Sequence, residues 1–351
     1  MSGYLSGLMG FDPGRGLYLD IGNSRITIAE PGADSSLNAV DEPSSQAAHT
    51  ELPADTADSA DSANNAHHKY TKNSDDSSHS ASSTAVPKHW SILESIPVSS
   101  PISQSAAKLV RLLQNQPPDR PIIASTVRRD IEHELSASLP DRIHWIGRTS
   151  FRSFIATYET PDTLGLDRIL TAWGAWLQYR QSAVIIDCGT ACTIDAVVAT
   201  TPDSPTSSGH KPTSSGHKPT SSEHQPTSSE YQPITNSATF AGGVIMPGIH
   251  TLHEALRNAT PELPGVPLSI PQTFPGKSTQ SCLEWGINGL FTDGVLAHIQ
   301  RYRSWLGDIP VLLTGGDAEL LSNWLSGFGV MGLITDPYLI YKGMSQLPEH
   351  L

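Results

Sequence analysis

Apolar and polar positions follow the same pattern twice along this chain, and each time the pattern predicts two strands joined beside an aspartate. Residues 16–30 (GLYLDIGNSRITIAE) predict a strand, a Gly-Asn turn and a returning strand. Residues 183–187 (AVIID) and 191–200 predict a second strand pair around a short Cys-Gly-Thr turn. The strand that follows each turn is antiparallel, which indicates a duplicated α/β unit and not a βαβ crossover.

Further strands and helices follow each of these pairs. Strands are predicted over 89–99, 121–127, 142–146, 238–246 and 309–314, and helices over 104–115, 129–138, 167–181, 250–258, 278–305 and 317–326. We expect an N-terminal α/β domain over 16–181 and a C-terminal α/β domain over 182–351.

Two long segments differ from the rest in composition. Residues 32–89 are rich in Asp, Ser, Ala, Asn and His, and residues 203–235 carry four copies of a seven-residue unit that begins Pro-Thr-Ser-Ser. Such segments bury too little apolar surface to offset their ordering entropy, so both are predicted to be disordered insertions at hairpin tips. The repeat is interpreted as a polar linker; weak metal binding through His210, His217 and His224 is the alternative.

Charge and cysteine content exclude several classes of protein. The net charge of −13 argues against a broad basic surface for nucleic acid, and no apolar run is long enough to span a bilayer. The N-terminus has no basic start followed by an apolar block, and three cysteines are too few for a disulfide framework. We therefore expect a cytoplasmic protein with neither a nucleic-acid nor a membrane partner.

The two aspartate turns have the chemistry of a phosphate site. Asp20 ends a buried strand and is followed by Gly22, which allows close backbone approach, and by turn N–H groups that can hold phosphate oxygens. A carboxylate beside phosphates needs a cation, usually Mg²⁺. Asp187 begins the second such turn, and the two turns together could hold one triphosphate from both sides. An ordinary hairpin with an aspartate at its turn is the alternative for each turn alone.

Several motifs in chain order resemble the type III pantothenate kinase family, a branch of the actin, Hsp70 and sugar-kinase superfamily. The segments that carry this resemblance are Asp20-Ile-Gly-Asn-Ser24, Tyr158 with Pro161, Leu164-Gly-Leu-Asp-Arg168, Asp187-Cys-Gly-Thr-Ala191, Thr193-Ile-Asp195, Gly242-Gly-Val-Ile-Met-Pro-Gly248, Ser278-Thr279, Gly315-Gly316 and Tyr341-Lys-Gly343. Together they span nearly all of the chain outside the two insertions. The resemblance implies duplicated ribonuclease-H-like α/β domains with a nucleotide cleft between them.

The resemblance also implies a function, the ATP-dependent phosphorylation of pantothenate that begins coenzyme A biosynthesis. Asp167 would act as the general base, and Asp187 would bind a monovalent cation, K⁺ or NH₄⁺, while Mg²⁺ accompanies ATP. Family members are homodimers with the acceptor pocket near the subunit interface. Pantothenate would contact Tyr158, Gly165, Leu166, Arg168 and Thr279, and ATP would contact Asp20, Ile21, Gly22, Asn23, Ser24, Arg25, Ile26, Thr27 and Thr190.

The chain departs from the family pattern at a few positions, and some alternatives stay open. Many members carry a lysine in the first loop, where this chain has Thr27. Without the resemblance, Asp167 and Arg168 are explained as a helix cap and a first-turn charge. Trp173 and Trp176 could lie at a subunit interface or in the core.

Two further sets of alternatives concern the cysteines and the activity. Cys188 and Cys192 are interpreted as small core thiols and not as a metal site. The functional alternatives are a kinase for another small alcohol, a polyphosphate-type phosphatase, and a catalytically weak regulatory or accessory protein of the same fold.

Overall fold

Two five-stranded sheets of identical topology form the framework of the molecule. The computed structural model describes residues 12–32, 86–98, 101–200 and 237–348. The strands are β1 Leu17–Ile21, β2 Arg25–Pro31, β3 Trp90–Pro97, β4 Ile122–Thr126, β5 Ile143–Trp145, β6 Ala183–Cys188, β7 Ala191–Thr200, β8 Ser237–Pro247, β9 Val311–Thr314 and β10 Leu333–Thr335. The helices are α1 Ile102–Gln114, α2 Arg129–Ser138, α3 Leu166–Tyr179, α4 Ile249–Ala259, α5 Thr279–Glu284, α6 Leu290–Leu306, α7 Ala318–Gly327 and α8 Leu339–Ser345.

The strand order shows that the two sheets are duplicates. The first sheet has the order β3-β2-β1-β4-β5 and the second β8-β7-β6-β9-β10. In each sheet the first three strands of the chain are antiparallel neighbours, and the next two strands pair in parallel. This arrangement confirms the expected duplicated ribonuclease-H-like α/β architecture, including the antiparallel strand after each aspartate turn.

Side-chain alternation divides each sheet between an outer core and a central core. In β1, Leu17, Leu19 and Ile21 face the outer core, whereas Tyr18 faces the central one. In β6, Ile185 faces the central core, which also contains helices α3 and α8. Because successive residues of a strand point to opposite faces, Asp20 and Asp187 lie on the face that looks toward α3.

Helix α3 is buried on all sides between the two sheets. Its core residues include Trp173 and Trp176, which are 6 % and 0 % exposed. Trp173 also donates its indole N–H to the carbonyl of Gln346, just beyond α8, at 2.6 Å. Of the two alternatives for these tryptophans, the structure supports the core.

The structure differs from the predicted elements at two places in the C-terminal half. The helix predicted over 278–305 is confirmed as one unbroken helical run from Thr279 to Leu306, but it contains a π-helical turn at Trp285–Gly289 between α5 and α6. Within this turn the buried amide of Asn288 donates to the carbonyls of Pro267 and Ser269 at 2.9 and 2.7 Å. Near the C-terminus, strand β10 and helix α8 were not predicted, since three and seven residues are too short to show a period.

Both predicted insertions fall at the same place in the duplicated unit, between the second and third strands of each sheet. Residues 33–85 of the first and all of 203–235 lie outside the described residues. At the base of the first insertion, Gly32 donates to the carbonyl of His89 at 2.9 Å, and Val86 packs against the central core. Both sheets belong to one compact unit, and the domain boundary between residues 181 and 182 stays a prediction. Within the described residues, every helix is too short or too polar to cross a membrane.

Candidate active site

The two aspartate turns are built alike. In the first, Asp20 pairs with Thr27 across β1 and β2, and Gly22 donates to the carbonyl of Arg25 at 2.9 Å. In the second, Asp187 pairs with Thr193 across β6 and β7, and Gly189 donates to the carbonyl of Ala191 at 2.9 Å. Each aspartate therefore stands one residue before the end of its strand, on the face toward α3.

The turns touch each other. The hydroxyl oxygens of Ser24 and Thr190 lie 2.6 Å apart, although 166 residues separate them in the chain. This contact joins the carboxyl ends of β1 and β6, the central strands of the two sheets. It places two turns with backbone N–H groups and two hydroxyls at one locus, as a polyphosphate site requires.

Three carboxylates share this locus. Burial raises the pKa of Asp20 to about 7, with Asp167 and Asp187 adding to the rise and the Ser125 hydroxyl opposing it. Burial likewise raises the pKa of Asp187 to about 7, reinforced by Asp167 and Asp195. Like charges held close together disfavour ionisation, so the locus favours a bound cation.

The donor set suits a hard cation held partly through phosphates or water. Carboxylate and hydroxyl oxygens are what Mg²⁺ prefers, and Mg²⁺ is usually held by one or two carboxylates plus substrate phosphates. Within the described residues, no three His, Cys, Asp or Glu side chains are close enough to chelate a metal on their own. The residues present therefore fit a metal that arrives with a nucleotide.

Backbone groups of two helices surround the second turn. The carbonyl of Thr190 accepts from the N–H of Gly248 at 2.9 Å and from the Thr251 hydroxyl at 2.6 Å, both at the start of α4. At the start of α7, Asp317 donates its N–H to the carbonyl of Cys188 at 3.1 Å. Gly315 has a φ of +88°, and a side chain there would collide with the Cys188 carbonyl and the Asp187 carboxylate. The glycine pair thus allows α7 to approach this turn closely.

Arginine side chains surround the first turn instead. Arg128, which follows β4, donates to the carbonyl of Asn23 at 3.2 Å and is ion-paired with Asp130 at 2.7 Å. Arg25 donates to the Ser95 hydroxyl at 2.9 Å. Arg128 was not among the residues predicted for the site, because its approach to the turn depends on the parallel pairing of β1 with β4.

The other residues predicted to contact ATP occupy different environments. Ile21 and Ile26 are fully buried in the outer core, so only their backbone could meet a ligand. The Thr27 hydroxyl hydrogen-bonds the buried phenol of Tyr341, whose pKa is raised by burial and by Asp20. The family motif near the C-terminus thus reaches the first turn.

Asp167 lies in the first turn of α3, half-buried. Its Oδ1 accepts from the backbone N–H of Arg168 at 2.9 Å. The N-cap residue of α3 is Gly165, so the alternative that Asp167 is the N-cap is wrong, although it does satisfy one first-turn donor. The carboxylate stands close enough to Asp20 and Asp187 to raise the pKa of both.

Arg168 is buried and paired with a carboxylate that the sequence did not assign to the site. Its Nε lies 3.1 Å from Oδ2 of Asp195, and its Nη2 lies 2.5 Å from Oδ1. Burial works against the charge of Arg168, but the Asp195 carboxylate and the Tyr158 hydroxyl raise its pKa. The guanidinium also lies over the Phe240 ring, 5.5 Å from its centroid.

The predicted acceptor residues are brought together only in part. Tyr158 packs edge-on against Phe240 with ring centroids 5.7 Å apart, and its hydroxyl lies close enough to Arg168 to raise the pKa of that guanidinium. Gly165 and Leu166 begin α3 beside them. Thr279 is the exposed first residue of α5, whose N-cap is Ser278, and the hydrogen bonds of the described residues do not link it to Tyr158 or Arg168.

Cys188 and Cys192 are buried core thiols, as predicted. They face each other across β6 and β7 with sulfur atoms 3.6 Å apart and join the outer core of the second sheet. The hydrogen bond to Cys192 and burial raise the pKa of Cys188. All three cysteines of the chain are free thiols.

Comparison with known proteins adds a family to this geometry. The family model described as type III pantothenate kinase matches residues 80–201 and 226–301. A type III pantothenate kinase of Flavobacterium johnsoniae is 28 % identical over 62 % of this chain and 75 % of the relative. One from Synechococcus elongatus is 28 % identical over 76 % of this chain and 90 % of the relative. A solved structure titled as a Baf family transcriptional activator from Campylobacter jejuni aligns over 93 % of this chain and 94 % of its own, with 17 % identity and a TM-score of 0.45.

Proposed function

This chain belongs to the type III pantothenate kinase family, and from that premise we propose that it transfers the γ-phosphate of ATP to pantothenate. The product would be 4′-phosphopantothenate, made in the first step of coenzyme A biosynthesis. The observation that carries the proposal is the meeting of the Ser24 and Thr190 turns beside the start of α3, where Asp167 and Arg168 stand together. Phosphate-holding turns and a carboxylate for the acceptor then share one locus.

The nucleotide would lie against both turns. Backbone N–H groups of Asn23, Ser24 and Thr190, with the Ser24 and Thr190 hydroxyls, would supply donors for phosphate oxygens. Asp20 and Asp187 would hold the cations that accompany the phosphates. Mg²⁺, when bound, neutralises phosphate charge and orients the γ-phosphate. We assign K⁺ or NH₄⁺ to Asp187, as the family resemblance implies, and a cation there would offset the burial and the neighbouring Asp167 and Asp195 that raise the pKa of Asp187.

The acceptor would enter beside α3 with its primary alcohol toward Asp167. The alcohol oxygen attacks the γ-phosphorus, a new O–P bond forms, and the bond to the β–γ bridging oxygen breaks, releasing ADP. Asp167 accepts the proton that the alcohol loses. Arg168 offers a planar fork for the pantothenate carboxylate, with Tyr158, Gly165, Leu166 and Thr279 completing the pocket.

Two finer assignments belong to the same proposal. We propose a homodimer, because the family implies one and Thr279 is exposed at the start of α5 and not packed into the pocket of its own chain. We also propose a cytoplasmic location from the sequence, which has three cysteines, all of them free thiols.

A coupled assay of ADP release tests the proposed function. Pantothenate should stimulate ADP release from ATP strongly, whereas other small primary alcohols should not, and K⁺ should be required. Stimulation by a different alcohol would favour a kinase for that alcohol. ADP release that no alcohol stimulates, or none at all from a folded protein, would favour a regulatory protein of the same fold.

A further inference from the structure

The ion pair between Arg168 and Asp195 has a geometry that the first turn of a helix does not require. Both side chains are buried, with Arg168 7 % and Asp195 3 % exposed. Nε and Nη2 both donate to the carboxylate, at 3.1 and 2.5 Å, in a two-pronged arrangement that fixes the plane of the guanidinium. Burying two charges costs considerable free energy, so such a pair is weak evidence for stability alone.

The second sheet is shaped to admit the Asp195 carboxylate. Asp195 pairs with Gly243 across β7 and β8, next to an irregularity in the register. A side chain at Gly243 would collide with Oδ1 of Asp195 and with the carbonyl of Ile194. Gly242 has a φ of +94°, which glycine adopts without strain. The paired glycines therefore make the space in which Asp195 meets Arg168.

The ion pair with Asp195 does not use all of the N–H donors of the Arg168 guanidinium. Arginine has five N–H groups, of which one on Nε and one on Nη2 bind Asp195. The Phe240 ring covers one face of the group. The other N–H groups are held in the same fixed plane, one residue from Asp167.

We propose that Asp195 is a positioning residue that fixes the Arg168 guanidinium so that its remaining donors select acceptors bearing a carboxylate. This inference rests on the proposed function, since it concerns the acceptor of that same reaction. It assigns a role to the Thr193-Ile-Asp195 and Gly242-Gly243 segments, which the proposed mechanism does not otherwise use. Without Asp195, Arg168 would still carry its charge but would lose the orientation that makes carboxylate recognition two-pronged.

The test compares pantothenate with its primary amide, which has nearly the same shape but no charge. The measured quantity is the ratio of kcat/KM for the two acceptors. Asp195→Asn should reduce the wild-type preference for pantothenate at least about tenfold, mainly through KM for pantothenate, with KM for ATP unchanged. A purely structural role would lower the melting temperature and leave this ratio unchanged.

A matched control is available in a second buried ion pair. Lys342 Nζ binds Asp336 Oδ2 at 2.7 Å, and both residues are as deeply buried as Arg168 and Asp195. Asp336→Asn should reduce stability and leave the acceptor ratio at the wild-type value. If Asp195→Asn does not fold, Asp195→Glu replaces it in the test, because it keeps the charge but displaces it by one methylene. The ratio of kcat/KM for the two acceptors is then measured in this variant and compared with the wild-type ratio.

The outcomes separate this inference from the proposed function. A wild-type ratio in the folded Asp195 variant would overturn the positioning role while leaving the kinase assignment intact. A wild-type protein that phosphorylates neither acceptor would overturn the proposed function itself. A fall in the ratio equal to that in Asp336→Asn would also contradict the inference, because it would reflect lost stability.

Discussion

The two aspartate turns are copies of one structural element, but different groups contact them. The first turn has arginine side chains beside it, with Arg128 on the Asn23 carbonyl and the Ser125 hydroxyl on the Asp20 carboxylate at 3.2 Å. The second turn is held by backbone groups from α4 and α7 that bind carbonyls. Burial, Asp167 and Asp195 all raise the pKa of Asp187, and within the described part of the chain no group opposes them.

This difference explains where a bound cation is needed most. Backbone N–H groups position a turn but add no full charge, and among the residues that the structure describes no cationic side chain opposes the rise in the pKa of Asp187. On the Asp20 side, the Ser125 hydroxyl opposes the rise in the pKa of Asp20, and Arg128, itself paired with Asp130, contacts the Asn23 carbonyl. The duplicated fold thus supplies two equivalent turns, and the side chains around them make the turns unequal.

The largest expected effect concerns Asp167, whose carboxylate lies near both Asp20 and Asp187. Asp167→Asn keeps the size of the side chain and its hydrogen bond to the Arg168 N–H but cannot accept the alcohol proton. We expect turnover to fall about 10² to 10⁴-fold, with the melting temperature almost unchanged. Steady-state kinetics and thermal melts of the same preparation measure both.

The alternative, in which Asp167 only supports the helix, predicts a different result. In that case Asp167→Asn would retain most of its activity, and Asp167→Ala would lose about 1 kcal/mol of stability. An Asn variant with near-normal turnover would remove Asp167 from the mechanism.

The cation prediction compares the turns directly. Replacing K⁺ by Na⁺ should reduce wild-type turnover about tenfold, because no cationic side chain in the described part of the chain offsets the charge of Asp187. Asp187→Asn should lower activity and bring the K⁺/Na⁺ ratio of rates close to one, whereas Asp20→Asn should preserve the ratio. Equal wild-type rates in the two salts would contradict the assignment of the monovalent cation to Asp187.

Substitution of Arg128 tests the contribution of its contact with the Asn23 carbonyl at the first turn. Arg128→Gln should raise KM for ATP about five- to tenfold, the effect of losing one charge-assisted contact, with little change in KM for pantothenate. Arg142→Gln is the matched control, since Arg142 also donates to backbone carbonyls, those of Pro117 and Pro118, but lies beside β5 and not at the turn. A shift of the same size in both variants would show that Arg128 acts through general charge alone.

The smallest expected effect is on the pH dependence of stability without nucleotide. The pKa values of Asp20 and Asp187 are raised to about 7, so the folded protein favours their protonated forms. Stability from this source is present at low pH and is lost as the pH rises through about 7. Asp20→Asn and Asp187→Asn should each raise the melting temperature by about 3 to 6 °C at pH 8 and by less at pH 5. Melting curves that shift equally at both pH values would show that the carboxylates do not carry this penalty.

Much of the fold was accessible from the sequence because its signals are local. The strand–turn–strand pattern at Asp20 and Asp187, the helix at Arg129–Ser138 and the strand at Ala191–Thr200 follow from residue alternation and turn chemistry. The alternation of side chains along β1 and β6 also predicts the face of the sheet on which each aspartate lies. Tyr18 and Asp20 share one face of β1 and Ile185 and Asp187 share one face of β6, which directs both carboxylates toward the central core.

The parts that sequence reasoning missed depend on long-range pairing. Asp195 meets Arg168 only because β8 leaves space at Gly243, and Arg128 reaches Asn23 only because β4 lies beside β1. The Thr193-Ile-Asp195 segment was recognised as part of a motif, but the motif alone does not show that Asp195 binds Arg168. A buried strand position occupied by a carboxylate is itself a signal, since such a charge needs a partner, and it could have directed attention to Arg168.

The most direct test of the whole account is identification of the product by mass spectrometry. Purified protein is incubated with ATP, Mg²⁺, K⁺ and pantothenate, and ADP and phosphorylated pantothenate are quantified together. We predict one phosphopantothenate, modified at the primary alcohol, for each ADP released, and about 10²- to 10⁴-fold less of both products from Asp167→Asn at the same enzyme concentration and time. ADP released without phosphopantothenate, or phosphopantothenate formed equally fast by the Asn variant, would contradict it.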